Sequence, residues 1–214
     1  MILPDIARTF PPAQIPVRPE WLAQVNEGAL DAALPIVDAH HHLWDRPGQR
    51  YLFDDFLADT RTGHNIVGSV FIQCRSMYRP GVEHALSPVG ETEFANGVAA
   101  QSASGLYGPL KACAGIVGFA DLTLGAAVRP VLQAHLRAAP DRFKGVRNMT
   151  AADASPDIAA GFGKVREGML REPAFWKGFA ELAPWACLPT CGPTTRNCPR
   201  SSNWQRHSRK QRSF

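Results

Sequence analysis

Apolar and polar positions divide this chain into alternating strand-like and helix-like stretches. Ile36-Val37 leads an apolar approach into Asp38-Ala39-His40-His41-His42, which reads as a short buried strand whose period of two puts His40 and His42 on one side and His41 on the other. Ile66 to Gln73 is a continuous run with β-branched residues, as expected for a parallel strand buried on both faces. Ala112 to Leu122 predicts a third strand running into a loop. Between and after them, helices are predicted from Asp54, over Glu91–Ser104 with Phe94 and Val98 inward, and over Ala126–Ala138. His135 falls there as an ordinary helix residue. Two more are predicted over Pro156–Leu170 and Glu172–Leu182, the latter with Phe175, Phe179 and Leu182 inward. Strands alternating with helices predict an α/β domain with a parallel sheet.

The ends differ in character. Residues 1–34 form a proline-rich arm with a helical pattern from about Glu20 to Leu34, its apolar positions Trp21, Leu22 and Val25 expected to pack over the domain. Residues 185–214 show neither a strand run nor an amphipathic period, and are read as an irregular basic tail. That leaves 35–184 as the folded unit.

Composition adds limits. The chain has 214 residues, 45% hydrophobic and 20% charged, ordinary for a globular protein. The formal charge is +4, but six basic residues and no acidic one follow residue 186, so the preceding residues carry a net −2 once those six are taken from +4. The basic balance belongs to the tail, which lacks the interleaved aromatics of a nucleic-acid surface. No apolar run approaches a membrane span, and the prolines with Asp5 interrupt any leader, so a cytoplasmic protein is expected. The five cysteines have no paired spacing and read as incidental.

Two imidazoles at the C-terminal mouth of a strand can hold a divalent metal, Zn2+ or similar, or contact the reacting atoms of a substrate. Arg75, beyond the second strand, and Arg147 offer planar donor forks for a carboxylate. Asp38-x-His40-x-His42 with Trp44 after it resembles the first-strand motif of the amidohydrolase superfamily, in the amidohydrolase-related branch with the 2-pyrone-4,6-dicarboxylate and sugar lactonases. Gly63 to Cys74, Met77-Tyr78-Arg79, Pro88 to Phe94, Ala120-Asp121-Leu122 and Phe143 to Asn148 resemble successive segments of that family.

The resemblance implies a (β/α)8 barrel with strands one to four in residues 35–184, and a hydrolase in which water attacks the lactone, ester or amide carbonyl of a small carboxylated substrate. It assigns His40 and His42 as catalytic or metal-ligating, and Arg147 and Arg75 as substrate-binding. A decarboxylase on the same scaffold, or a non-catalytic remnant that at most binds metal, are the alternatives. The family histidines of strands five and six and the base of strand eight have no counterpart here. Phe119 stands where relatives carry histidine, and Asn148 follows Arg147 where a histidine often does.

A barrel of this kind needs about 250 residues, so a truncated half-barrel is expected, prone to self-association through open edges. The genetic code suggests how. Codons for Thr194 to Pro199, re-cut one base upstream, can encode Tyr-His-Pro-Gln-Leu-Pro, a text resembling the family's fifth strand, so a single frameshift near Pro184 is expected.

Overall fold

A computed structural model describes residues 18–25, 27–46, 49–150, 167–183 and 188–191. Its frame is one parallel sheet of five strands: β1 (Pro35–His41), β4 (Asn65–Ile72), β5 (Lys111–Gly118), β6 (Phe143–Asn148) and β7 (Leu188–Cys191), in that spatial order. β2 (Trp44–Arg46) and β3 (Gln49–Tyr51) form a separate antiparallel pair after β1. The short helix α1 (Pro19–Leu22) precedes the sheet, α2 (Phe53–Thr60) joins β3 to β4, and α3 (Val89–Ala103) joins β4 to β5. α4 (Arg129–Ala138) joins β5 to β6, and α5 (Pro173–Ala180) precedes β7.

The four expected strands are present with small shifts in their ends. β1 is less buried than its sequence suggests. Val37 is 58% exposed, because β1 lies at the sheet edge with β4 as its one neighbour. The expected irregularity of the tail is corrected at one point: residues 188–191 pair parallel with Gly145 to Asn148. Leu-Pro-Thr-Cys is a poor strand by propensity, so the pairing is supplied by the open edge of β6 rather than by local preference. The rest of the tail and the frameshift point, and most of the expected Pro156–Leu170 helix, lie outside the described residues. The expected helix over Glu20–Leu34 is also corrected. It ends at Leu22, and Trp21, Leu22 and Val25 are all exposed, so no core packing sustains it.

The sheet curls. In a flat sheet β1 and β6, three spacings apart, would be separated by about 14 Å. Yet Arg147 of β6 reaches both the carbonyl of Gln73 beyond β4 and the ring of His40 on β1. The sheet is therefore a curved, partial-barrel surface, with helices on one side. Phe53, Phe56 and Leu57 of α2, Val98 of α3, Leu132 of α4 and Phe175 and Phe179 of α5 join Phe71, Ile116 and Phe143 of the strands in one buried cluster. As expected, Phe175, Phe179 and Leu182 face inward.

His135 is no ordinary helix residue. It is fully buried, Nδ1 meets Thr92 Oγ1 at 2.8 Å, Nε2 donates to the Phe119 carbonyl at 2.9 Å, and the ring stacks on Phe143. It bolts α4 to α3 and to the end of β5. No described helix is long and apolar enough to cross a membrane.

Candidate functional site

The C-terminal ends of β1, β4 and β6 bring together His40, His42, the carbonyl of Gln73 and Arg147. Alternation along β1 delivers the two imidazoles as expected: His40 Nε2 and His42 Nε2 stand 3.2 Å apart, with the rings nearly perpendicular. His41 turns the other way into the core, stacked on Phe56 and with Nε2 3.0 Å from Ser69 Oγ. The middle histidine of the run anchors the strand that carries its neighbours.

The tautomer of His42 follows from its partner. Nδ1 lies 2.7 Å from the Ile72 carbonyl, which only accepts, so Nδ1 carries the proton and Nε2 presents its lone pair to the mouth. His40 Nε2 stands 3.4 Å from Arg147 Nη1, which only donates. His40 can accept from Arg147 or donate to His42, but not both with one nitrogen. The first arrangement spends the His40 lone pair on Arg147; released from it, that lone pair and the one on His42 Nε2 can face one cation.

Both rings are held neutral. Burial, with lesser contributions from Arg147 and His40, lowers the His42 pKa from 6.5 to about 4. His40 shifts down as well, through burial and then the Arg147 cation, against a smaller opposing pull from Asp38. Neutral imidazoles are the form that ligates metal. Two nitrogens at 2.0–2.1 Å from a tetrahedral Zn2+ are separated by about 3.3 Å, close to the observed spacing. The pair therefore fits two positions of such an ion. Among the described residues no group of three or more His, Cys, Asp and Glu side chains converges on one point.

Comparison with family models, curated proteins and solved structures finds no match.

Arg147, expected as a free substrate fork, is partly engaged. Its Nη2 donates to the Gln73 carbonyl and its Nη1 lies against His40, while buried Nε has no hydrogen-bond partner among the described residues. Asn148, in place of the expected histidine, points into the structure and donates to the Ala120 carbonyl at 2.7 Å. Arg75 sits in the loop after β4 with φ +64, half-buried, and Tyr78 follows it, close enough for the two arginines to act on its phenol. Gln73 is 1% exposed and contributes its backbone oxygen to the mouth.

Sequence reasoning missed Glu91. It lies in the first turn of α3, is 1% exposed, and its Oε1 accepts from the backbone N–H of Cys74 at 2.7 Å and of Ser76 at 2.9 Å. Burial raises its carboxyl to about 7 even against those hydrogen bonds and Arg147. An acidic residue near a helix start ordinarily reads as a surface group. The neighbouring Gly90, which leaves room for close approach, is the signal that could have found it. Cys74 and Cys113 are free thiols, both shifted upward by burial, Cys113 to about 12, and neither is a nucleophile at neutral pH.

Proposed function

We propose that this mouth binds the carbonyl of a small carboxylated ester, lactone or amide and presents it to water, the reaction of the amidohydrolase-related hydrolases that the sequence resembles. The observation that carries this reading is the convergence of two neutral Nε2 atoms, 3.2 Å apart, beside an arginine at strand C-termini. His40 and His42 would polarise the carbonyl directly or by holding a divalent ion such as Zn2+; when bound, that ion supplies Lewis-acid polarisation. Arg147 places a cation where negative charge develops on the carbonyl oxygen. Arg75 takes the substrate carboxylate. Trp44 and Tyr51 line the cavity beside the histidines.

A second reading has an observation of its own. No carboxylate oxygen of the described residues is hydrogen-bonded to the ring of His40 or His42, so the proton acceptor that water attack needs is not among their partners. On that reading the chain captures metal or ligand without turnover.

Zn2+ titration by calorimetry separates the outcomes. His40→Ala and His42→Ala should each weaken binding by at least about tenfold, while His64→Ala, at an exposed position, should leave it unchanged. Hydrolysis of an aryl ester and a δ-lactone, followed by proton release, then distinguishes a hydrolase from a binder. Zinc binding untouched by His40→Ala would remove the metal-holding role, and hydrolysis equally untouched by it would remove the hydrolase reading.

A further inference from the structure

The loop from Cys74 to Tyr78 is held in a conformation its residues do not favour. Arg75 and Met77 both have positive φ, +64 and +52, without being glycine. Such backbone persists where surroundings over-determine it, and the start of α3 does so here. At Gly90 a Cβ would lie 2.5 Å from the Met77 carbonyl oxygen and 2.9 Å from the Arg79 nitrogen, so only glycine lets the helix approach this closely. The next residue, Glu91, places Oε1 between the amides of Cys74 and Ser76, the two residues that flank Arg75.

Stability alone does not account for a carboxylate at this point. Its Oε2 is buried without a hydrogen-bond partner among the described residues, an unfavourable state for a polar atom. The loop it grips leads back to the mouth. Gln73, immediately before it, gives the carbonyl that orients Arg147, Cys74 accepts from Arg46 through its carbonyl at 2.7 Å, and the loop itself carries Arg75 and Tyr78.

We propose that Glu91 is a positioning residue, whose carboxylate holds the 74–78 loop in its left-handed shape and thereby fixes Arg75 and the Arg147 anchor for a ligand carboxylate. This rests on the reading of the mouth as a ligand site, so the test separates the two.

Cys74 and Cys113 fall on different tryptic peptides and report the loop and the core separately. In the full chain under native conditions, alkylation by N-ethylmaleimide followed by mass spectrometry should be slow at both. Both Glu91→Ala and Glu91→Gln remove the charge that helps hold the Cys74 thiol protonated, so the loop is read from their difference: Glu91→Ala should alkylate Cys74 about tenfold faster than Glu91→Gln, which keeps an accepting oxygen, with Cys113 unchanged in both. A Cys74 rate in Glu91→Ala equal to that in Glu91→Gln overturns the proposal, as does an equal rise at Cys74 and Cys113, which would mean that Glu91 supports the whole domain. Isophthalate, a planar dicarboxylate, probes the mouth by calorimetry. Glu91→Ala should weaken it about tenfold with Zn2+ affinity unaltered. Loosening of Cys74 with isophthalate affinity retained would show a brace that positions nothing and also overturns the proposal. No isophthalate binding by wild type overturns the carboxylate reading of the mouth, and the Cys74–Cys113 contrast then decides the brace alone.

Discussion

At the scale of single residues, chemistry here is decided by which atom of a side chain is already committed. His42 has one nitrogen tied to the Ile72 carbonyl, which frees the other for the mouth, and His41 spends its reach on Ser69 and Phe56 in the core. His135 has both nitrogens occupied and is a fastener. Replacing it with alanine removes a stacked ring, leaves the Phe119 carbonyl and Thr92 hydroxyl without their partner, and opens a cavity between α3 and α4. His135→Ala should therefore cost about 3 kcal/mol, read by urea denaturation. A loss under about 1 kcal/mol would mean that the site collapses around the gap. The same logic limits what the sequence could reveal. The His40–His42 pair was legible because strand alternation is a local rule. His135 and Glu91 were not, because each looks like a surface helix residue until another element buries it.

Elements behave differently according to what surrounds them. β4 and β5 were legible from their apolar runs because each has neighbours on both sides, β6 (Phe-Lys-Gly-Val-Arg-Asn) only from its resemblance to a family segment, whereas β1 read as buried and is an edge. The β2–β3 pair escaped notice since three-residue strands of Trp-Asp-Arg and Gln-Arg-Tyr carry no period. β7 escaped because its partner supplies the order. Helix α5 illustrates how tightly an element can be docked. It packs against the helical turn Leu122–Val128, and at Gly178 a Cβ would be driven into the backbone carbonyl of Leu122. That neighbour is main chain and cannot rotate aside. Gly178→Ala should thus destabilise by about 1–3 kcal/mol despite alanine's better helix propensity, and thermal melting checks the sign.

For the whole molecule, the buried titratable groups set how stability depends on acidity, and they pull in opposite directions. His135 is shifted by burial from 6.5 to about 4, so between these values the unfolded chain binds more protons than the folded one, and stability falls as pH drops through that window. Glu91 is shifted upward, from 4.5 to about 7, so there the folded state binds more protons and stability falls as pH rises. Between about 4.5 and 6.5 the two slopes offset, each at most about 1.4 kcal/mol per pH unit. Removing one member exposes the other. Glu91→Gln should steepen the loss of stability on acidification from pH 6.5 to 4.5, and His135→Leu should flatten it without inverting it, because His41 and His42, also lowered by burial to about 4, act in the same direction. Urea denaturation at half-unit pH steps measures both slopes. If neither variant changes the slope, the two groups titrate in the folded chain as they do unfolded, and the burial that defines the α3–α4 side of the sheet is less complete than their environments require.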